Sequence, residues 1–287
     1  MAARARVAWI GLGRIGLPMA ARLAGAGWMV AGYDLSAERR AAAKARGITP
    51  AESAGAALDG AGFLFTSLPA HEAIPSFLHK GVTLVETSTI SPQASAEIAK
   101  AAAAKGAPYL RSPISGSTAL AEAGTLTVFA SGPKAVLEAA RPALAAFSRA
   151  QIWLGEGEEA RYAKLAVNLM VAVTAGMMGE ALALARKGGI SWPAILDVIG
   201  ESAVGSPLVK YKLDPLRRRD FSPAATNSLI AKDLELIVGA ANAAGVPVPL
   251  AEHMQAAYAK LIEEGFAEED FFGIVRAVER SAGLGEP

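Results

Sequence analysis

This sequence predicts an α/β domain with a mostly parallel sheet followed by an all-α domain, and three observations predict it. Short β-rich apolar runs alternate with alanine-rich helical stretches over the first half. A glycine-rich turn, GLGRIG at 11–16, sits between the first of those runs and the first helical stretch. After about residue 157 the strand signals stop, and helical stretches broken by Gly and Pro fill the rest. Near-continuous apolar strands alternating with helices point to a parallel sheet covered on both faces.

The strands are expected at 7–11 (VAWIG), 28–34 (WMVAGYD), 62–68 (GFLFTSL), 82–88 (VTLVETS), 107–113 (APYLRSP), 125–131 (TLTVFAS) and 151–155 (QIWLG). Helical stretches such as PMAARLAGAG, SAERRAAAKARG, SPQASAEIAKAAAAKG and KAVLEAARPALAAFS lie between them. Segment 125–131 follows a short connection, so an antiparallel place at a sheet edge is open to it. The expected domains are 1–157 and 158–287, the second beginning with a long interdomain helix over 158–187. Further helices are expected at 192–201, 206–213, 226–244, 248–264 and 268–282, separated by Gly188-Gly189, Gly205-Ser206-Pro207, Ser222-Pro223, Gly245-Val246-Pro247 and Gly265.

Composition removes several function classes. The chain has 287 residues, 52% hydrophobic and 19% charged, enough to bury a core in about two domains. A formal net charge of +1 gives no field that would gather nucleic acid or an anionic membrane. The densest basic run, Arg217-Arg218-Arg219, is short and flanked by Asp214 and Asp220, and reads as a solvated surface turn. With no cysteine, disulfides, thiolate catalysis and cysteine-based zinc sites are excluded, which fits a cytoplasmic protein. His71, His79 and His253 form no metal-ligand spacing, so no metal is expected. The N-terminal MAARARVAWIGLG imitates a signal peptide, but Arg14 ends its apolar stretch early, and the segment is explained better by the glycine motif.

That motif fits G-x-G-x-x-G in the context that gives it weight, after a strand and before a helix. Gly11 permits the tight turn, Gly13 lets backbone approach a pyrophosphate, and Gly16 allows close helix–strand contact. The helix N-terminus then holds the anion, which makes Leu12, Arg14 and Ile15 part of the same cofactor-binding turn. Asp34 ends the next strand eighteen residues after Gly16, near the spacing of the acid that hydrogen-bonds the ribose 2′-hydroxyl of NAD. The first domain is therefore expected to be a Rossmann-type dinucleotide domain taking NAD, with NADP possible through Arg39 and Arg40.

A different question is raised by KLAVNLMVAVTAGMMGE, residues 164–180. No charge interrupts the stretch between Lys164 and Glu180. Fifteen residues are short for a membrane span, which needs about 20. The bland reading is a core helix with Lys164 snorkelling at its lip. Small residues Ala172, Ala175, Gly176 and Gly179 would allow close packing of a neighbour in the same domain or in a second copy.

Taken together, the sequence resembles the β-hydroxyacid dehydrogenases, the group of 3-hydroxyisobutyrate dehydrogenase and tartronate semialdehyde reductase. The motifs that carry the resemblance are WIGLGRIGLPMAARL, TSLP (66–69), ETSTISP (86–92), SPISGSTALAEAGTLTVFASG (112–132), KLAVN (164–168) and AKDLEL (231–236). The resemblance implies that Leu68, Pro69 and Thr89 lie along the nicotinamide half of the cofactor and that Lys232 closes over it. It implies that Ser115, Gly116 and Ser117 bind a substrate carboxylate. It makes Lys164 the catalytic residue, with Asn168 orienting the lysine or the substrate oxygen. Four residues apart, the two share a helix face. A lysine whose pKa is lowered by a partly apolar site can move the hydroxyl proton that must accompany hydride transfer, and as an ammonium it would polarise a carbonyl oxygen.

Departures from the family pattern fall at the substrate end. Where the family reads DAPVSGG, this chain reads RSPISGS, with Arg111 for an acid and Ser117 for a glycine. Val167-Asn168 stands for paired asparagines, and Ala73 for an asparagine. These changes leave the reaction type intact and the substrate open. The expected function is NAD(P)-dependent interconversion of a small 3-hydroxy acid and its semialdehyde or keto form. An imine reductase of similar fold, which would lack the lysine, and a non-catalytic dinucleotide reader are the alternatives. Expected partners are a small-molecule carboxylate and further copies of the chain, as a homodimer or homotetramer through the helical domain. No nucleic acid and no membrane are expected.

Overall fold

The computed structural model describes residues 6–286. Residues 1–5, part of the stretch that imitates a signal peptide, lie outside the described residues. The chain divides into two compact units, the first ending at Lys164 and the second starting at Leu165.

The first unit holds a nine-stranded sheet. Its elements in chain order are β1 (Arg6–Ile10), α1 (Gly16–Gly25), β2 (Met29–Tyr33), α2 (Ala37–Lys44), β3 (Thr49–Pro50), α3 (Ala54–Leu58), β4 (Phe63–Thr66), α4 (Ile74–Phe77), β5 (Thr83–Glu86), α5 (Pro92–Ala104), β6 (Tyr109–Arg111), β7 (Ile114–Ser115), α6 (Thr118–Ala123), β8 (Leu126–Ser131), α7 (Lys134–Leu144) and β9 (Ser148–Gly155). The parallel part has the order β3-β2-β1-β4-β5-β6, the doubly wound arrangement expected of a dinucleotide domain. Strand residues alternate between its faces. Trp9, Phe65, Val85 and Leu110 fill one core, and Ala8, Leu64, Leu84 and Tyr109 the other. In the first core Trp9 stacks on Phe65 with ring centroids 5.0 Å apart, and Phe147 meets both edge-on.

Strand β8 is antiparallel, as its short connection allows, but it is not an edge. It pairs with β6 and β7 on one side and runs parallel to β9 on the other. The two-residue β7 is too short to show a periodicity of its own, so that partner of β8 is not legible in the sequence.

The 29-residue helix α8 (Glu159–Lys187) leaves the first unit and continues into the second. The second unit adds α9 (Trp192–Glu201), α10 (Pro207–Arg217), α11 (Asn227–Ala244), α12 (Pro249–Glu263), a 3-10 turn (Phe271–Gly273) and α13 (Ile274–Ser281). Helix α10 runs past its expected stop with Pro215 inside it. Pro215 forfeits the N–H bond to the carbonyl of Tyr211, and the helix ends two residues later.

By length and composition α8 could cross a membrane, yet Leu165, Ala172, Ala175, Met178 and Leu182 lie in the core of the second unit. Its small residues serve that same unit. A Cβ on Gly176 would come 2.4 Å from Met254 Sδ on α12, and one on Gly179 would come 3.0 Å from Val278 Cγ2 on α13. Other apolar side chains of α8 are exposed, among them Met170, Met177 and Leu184 at intervals of seven residues.

The basic run is solvated at Arg217 and Arg218, as expected, but not at Arg219. Arg217 pairs with Asp197 at the surface, but Arg219 turns inward with φ +54°. Its guanidinium lies over Trp192 and Phe221 at 5.0 and 5.5 Å and bonds Glu279. The aromatic rings and a buried carboxylate outweigh the hydration of one arginine of the three. Deeper in this unit, Lys212 Nζ donates to both oxygens of Asp270 at 2.7 Å. Both residues are almost wholly buried, so the pair pins α10 to the 3-10 turn.

Candidate active site

The glycine-rich turn has the geometry of a phosphate cradle. Gly11 has φ +96°, and a Cβ there would come 2.2 Å from Ser67 O. A Cβ on Gly16 would come 2.1 Å from Gly11 O, so α1 starts hard against the turn. Over Gly13 the space is open, with only Arg39 Nη1 at 3.9 Å from the position a Cβ would take. Among the described residues no side chain caps α1, which leaves its amino end suited to an anion. Leu12 is buried, Arg14 exposed and Ile15 half-buried along the same turn.

Asp34 is held beside this cradle. Its Oδ2 accepts from Leu12 N–H and its Oδ1 from Ser36 N–H, both at 2.9 Å. Arg39 Nη1 lies 3.5 Å from Oδ2 on a half-exposed side chain, while Arg40 turns back to donate to Asp34 O at 2.6 Å. Arg40 is thus committed to backbone, and only Arg39 of the pair faces the cradle. The tight Gly11 and Gly16 contacts, the opening over Gly13 and the fixed carboxylate fit a dinucleotide.

Two loops follow the carboxyl ends of β4 and β5, where ligands of such sheets bind. Leu68 N–H donates to Ser88 Oγ at 2.9 Å, which joins the loop of Leu68 and Pro69 to the loop carrying Thr89. Pro69 is exposed, and Leu68 and Thr89 are half-buried.

The SPISGS segment folds as β7 followed by α6. Ser115 pairs with Thr127 of β8, and Gly116 takes φ +139°, a value that excludes other residues. Ser117 is the N-cap of α6, its Oγ accepting from Leu120 N–H at 3.4 Å. The hydroxyl hydrogen remains available to donate. Arg111 belongs elsewhere. It is buried, lies over the Tyr109 ring at 4.7 Å, and donates to Ser95 Oγ at 3.1 Å and to Glu158. The arginine that replaces the family's acid is therefore packed in the interior of the first unit rather than offered to a substrate.

Lys164 is half-buried and Asn168 buried, one turn apart on α8. Asn168 Nδ2 donates to Asp233 Oδ2 at 2.6 Å. Asp233 is itself buried and follows the half-buried Lys232 on α11. The sequence reading singled out Lys232 in AKDLEL and passed over Asp233. The signal was available, since an acid at an otherwise apolar helix face needs a partner when buried.

A second group escaped the sequence reading altogether. Arg161 is 1% exposed and donates through Nε to Ser95 Oγ, through Nη1 to Ser88 O at 2.9 Å, and through Nη2 to Glu86 and to Tyr109 OH. Burial pushes the guanidinium pKa down, but Glu86 and Tyr109 outweigh burial and raise it above the ordinary arginine value. Burial likewise raises the Tyr109 hydroxyl.

Comparison with known proteins places this geometry in context. Residues 6–155 match the family described as the NAD binding domain of 6-phosphogluconate dehydrogenase. Residues 158–278 match the family described as NAD-binding of NADP-dependent 3-hydroxyisobutyrate dehydrogenase. The NAD-dependent L-serine dehydrogenase of Pseudomonas aeruginosa is 30% identical, over 97% of this chain and 99% of its own length. A solved structure of Mycobacterium tuberculosis 3-hydroxyisobutyrate dehydrogenase with L-serine is 30% identical with a TM-score of 0.87, over 96% of this chain and 99% of that one. A Streptomyces aurantiacus imine reductase shares the fold at 22% identity and a TM-score of 0.64, over 95% of this chain and 99% of that one.

Proposed function

The chain belongs to the β-hydroxyacid dehydrogenase family, and on that premise we propose that Lys164 is the acid–base group of this NAD(P)-dependent 3-hydroxyacid dehydrogenase. The reaction interconverts a small 3-hydroxy acid and its semialdehyde or keto form. One observation carries the assignment. Lys164 stands one turn before Asn168 on α8, and the Asn168 amide is fixed by a 2.6 Å hydrogen bond to buried Asp233.

The glycine turn would hold the pyrophosphate of a bound dinucleotide, and Asp34 would accept from its adenosine ribose. A bound nicotinamide supplies the hydride acceptor in oxidation and the donor in reduction. In oxidation Lys164 Nζ takes the proton of the substrate hydroxyl, and in reduction it returns that proton to the new alkoxide oxygen. Positioned proton transfer of this kind contributes about 10²–10⁴-fold in rate. Asn168 orients the lysine or the substrate oxygen. Ser115, the Gly116 backbone N–H and the Ser117 hydroxyl receive the substrate carboxylate, and Lys232 serves the cofactor. Met170, Met177 and Leu184 support a homodimer or homotetramer, because they lie along one line of α8 with their apolar side chains exposed.

The test is reduced-cofactor absorbance with 3-hydroxyisobutyrate, L-serine, glycerate and 3-hydroxypropionate, each with NAD⁺ and NADP⁺, for wild type and Lys164→Ala. At least one acid turns over, and Lys164→Ala loses that turnover while still binding NADH. A variant as active as wild type would reduce Lys164 to the end of a core helix. Cyclic-imine turnover without hydroxy-acid turnover would favour the imine reductase reading.

A further inference from the structure

Three adjacent strands end on one row of residues, and all three engage the start of α8. Glu86 of β5 pairs in register with Arg111 of β6, and Arg111 with Ser131 of β8. Ser131 Oγ donates to Gly157 O at 2.8 Å and accepts from Ala160 N–H at 3.2 Å. Arg111 bonds Glu158, and Glu86 bonds Arg161. The stretch from Gly157 to Arg161 is therefore held from three strands at once.

Arg161 is the centre of this clamp. One guanidinium reaches Glu86, Tyr109, Ser95 and the Ser88 carbonyl. The other Glu86 oxygen accepts from Ser88 N–H at 2.6 Å, and Ser88 Oγ accepts from Leu68 N–H. The same arginine that fixes the first turn of α8 thus fixes the residue before Thr89 and, through Ser88, the loop of Leu68 and Pro69. Lys164 is three positions on from Arg161, hence on the same side of the helix and its neighbour. A buried ionic cluster is poor value as stability alone, since apolar side chains of similar volume often do as well. It differs from them in fixing direction at several atoms at once.

We propose that the Arg161–Glu86 clamp is the positioning device for Lys164, setting the lysine against the two loops that flank the nicotinamide. This rests on the assignment of Lys164 given above. Arg161 touches no reacting atom in this scheme and is a positioning residue.

The decisive variant is the double change Arg161→Gln with Glu86→Gln, which removes both charges together and leaves an amide at each position. Ser131→Ala, a milder change on the same row, is run beside it. Two readouts are taken on protein that is folded by circular dichroism and binds NADH. The first is kcat and KM against pH with the best acid of the panel. The second, independent of turnover, is the pH dependence of trace acetylation of Lys164 by acetic anhydride, read by mass spectrometry.

The double variant should lose about 10- to 100-fold in kcat, the cost of slight misplacement, with KM for the acid little changed. Its Lys164 acetylation profile should move along the pH axis, and Ser131→Ala should shift both readouts in the same sense by less. A folded double variant with wild-type kcat, pH profile and acetylation profile overturns the proposal. If the double variant does not fold, a folded Ser131→Ala with wild-type readouts overturns it. An active Lys164→Ala would instead overturn the role of the lysine, and the acetylation profile would still report whether the clamp sets its surroundings.

Discussion

Asn168 Nδ2 donates a 2.6 Å hydrogen bond to Asp233 Oδ2, with both side chains buried on neighbouring helices of the second unit. A carboxylate has only acceptors to offer, so this contact decides which end of the amide points at α11 and turns the carbonyl oxygen the other way. Asp233→Asn removes that decision, because either end of the Asn168 amide can then face it. We expect kcat to fall about tenfold and stability to drop by about 1 kcal/mol, as a hydrogen bond to a charged group becomes a neutral one. Steady-state kinetics and urea unfolding check both. A variant with wild-type kcat would make the pair a packing feature only.

Asp34 does two jobs, holding the Leu12 and Ser36 backbone N–H groups and facing the cradle with Arg39 nearby. Wild type should prefer NAD⁺ over NADP⁺. Asp34→Ser should raise KM for NAD⁺ about tenfold, the equivalent of one charge-assisted hydrogen bond, and narrow the preference. Arg39→Ala should weaken whatever NADP⁺ turnover exists. Wild-type preference for NADP⁺ would mean that Arg39, not Asp34, governs the choice.

Met170, Met177 and Leu184 should be covered in solution. Light scattering is expected to give a dimer or tetramer for wild type and a smaller species for Met177→Glu. At an exposed position the change itself should cost the fold only about 0.5 kcal/mol. A monomeric wild type removes the assignment of this face.

Tyr258 donates to Phe271 O at 2.9 Å in the helical core, and burial followed by the charge of Asp270 raises its pKa well above the ordinary tyrosine value. A raised folded pKa gives stability that is complete below the unfolded value near 10 and is lost as pH climbs beyond it toward the folded value. Wild type should therefore lose melting temperature above pH 10 more steeply than Tyr258→Phe. At neutral pH the phenylalanine variant should be less stable by about 1 kcal/mol. Parallel alkaline limbs for the two proteins would contradict this.

Much of this was legible in the sequence because periodicity and glycine carry it. The strands around VAWI and FLFT alternate between two apolar cores, so their residues announce a sheet covered on both faces. Gly11 and Gly16 announce a turn that no side chain could occupy. What escaped was set by tertiary partners. Arg111 looked like a substrate-facing change until Ser95, Glu158 and the Tyr109 ring were seen around it. Arg219 looked solvated because Trp192 and Glu279 lie far off in sequence. Arg161, three residues before a recognised lysine, carried no local pattern, since Glu86 is 75 residues away. The two-residue strand β7 was too short for any period to register.

The buried charges on the β5–β6 row also constrain how this protein can change. Losing Glu86 alone strands Arg161, and losing Arg161 alone strands Glu86, at about 3–5 kcal/mol for a broken buried pair. Against a total of about 5–15 kcal/mol for an ordinary fold, such a lineage would stand close to unfolding after its first step. Glu86 and Arg161, and beside them Arg111 and Glu158, are therefore expected to change together or not at all. A loop graft from a relative that carries one member of a pair without the other should fail for that reason, however well the graft fits the substrate.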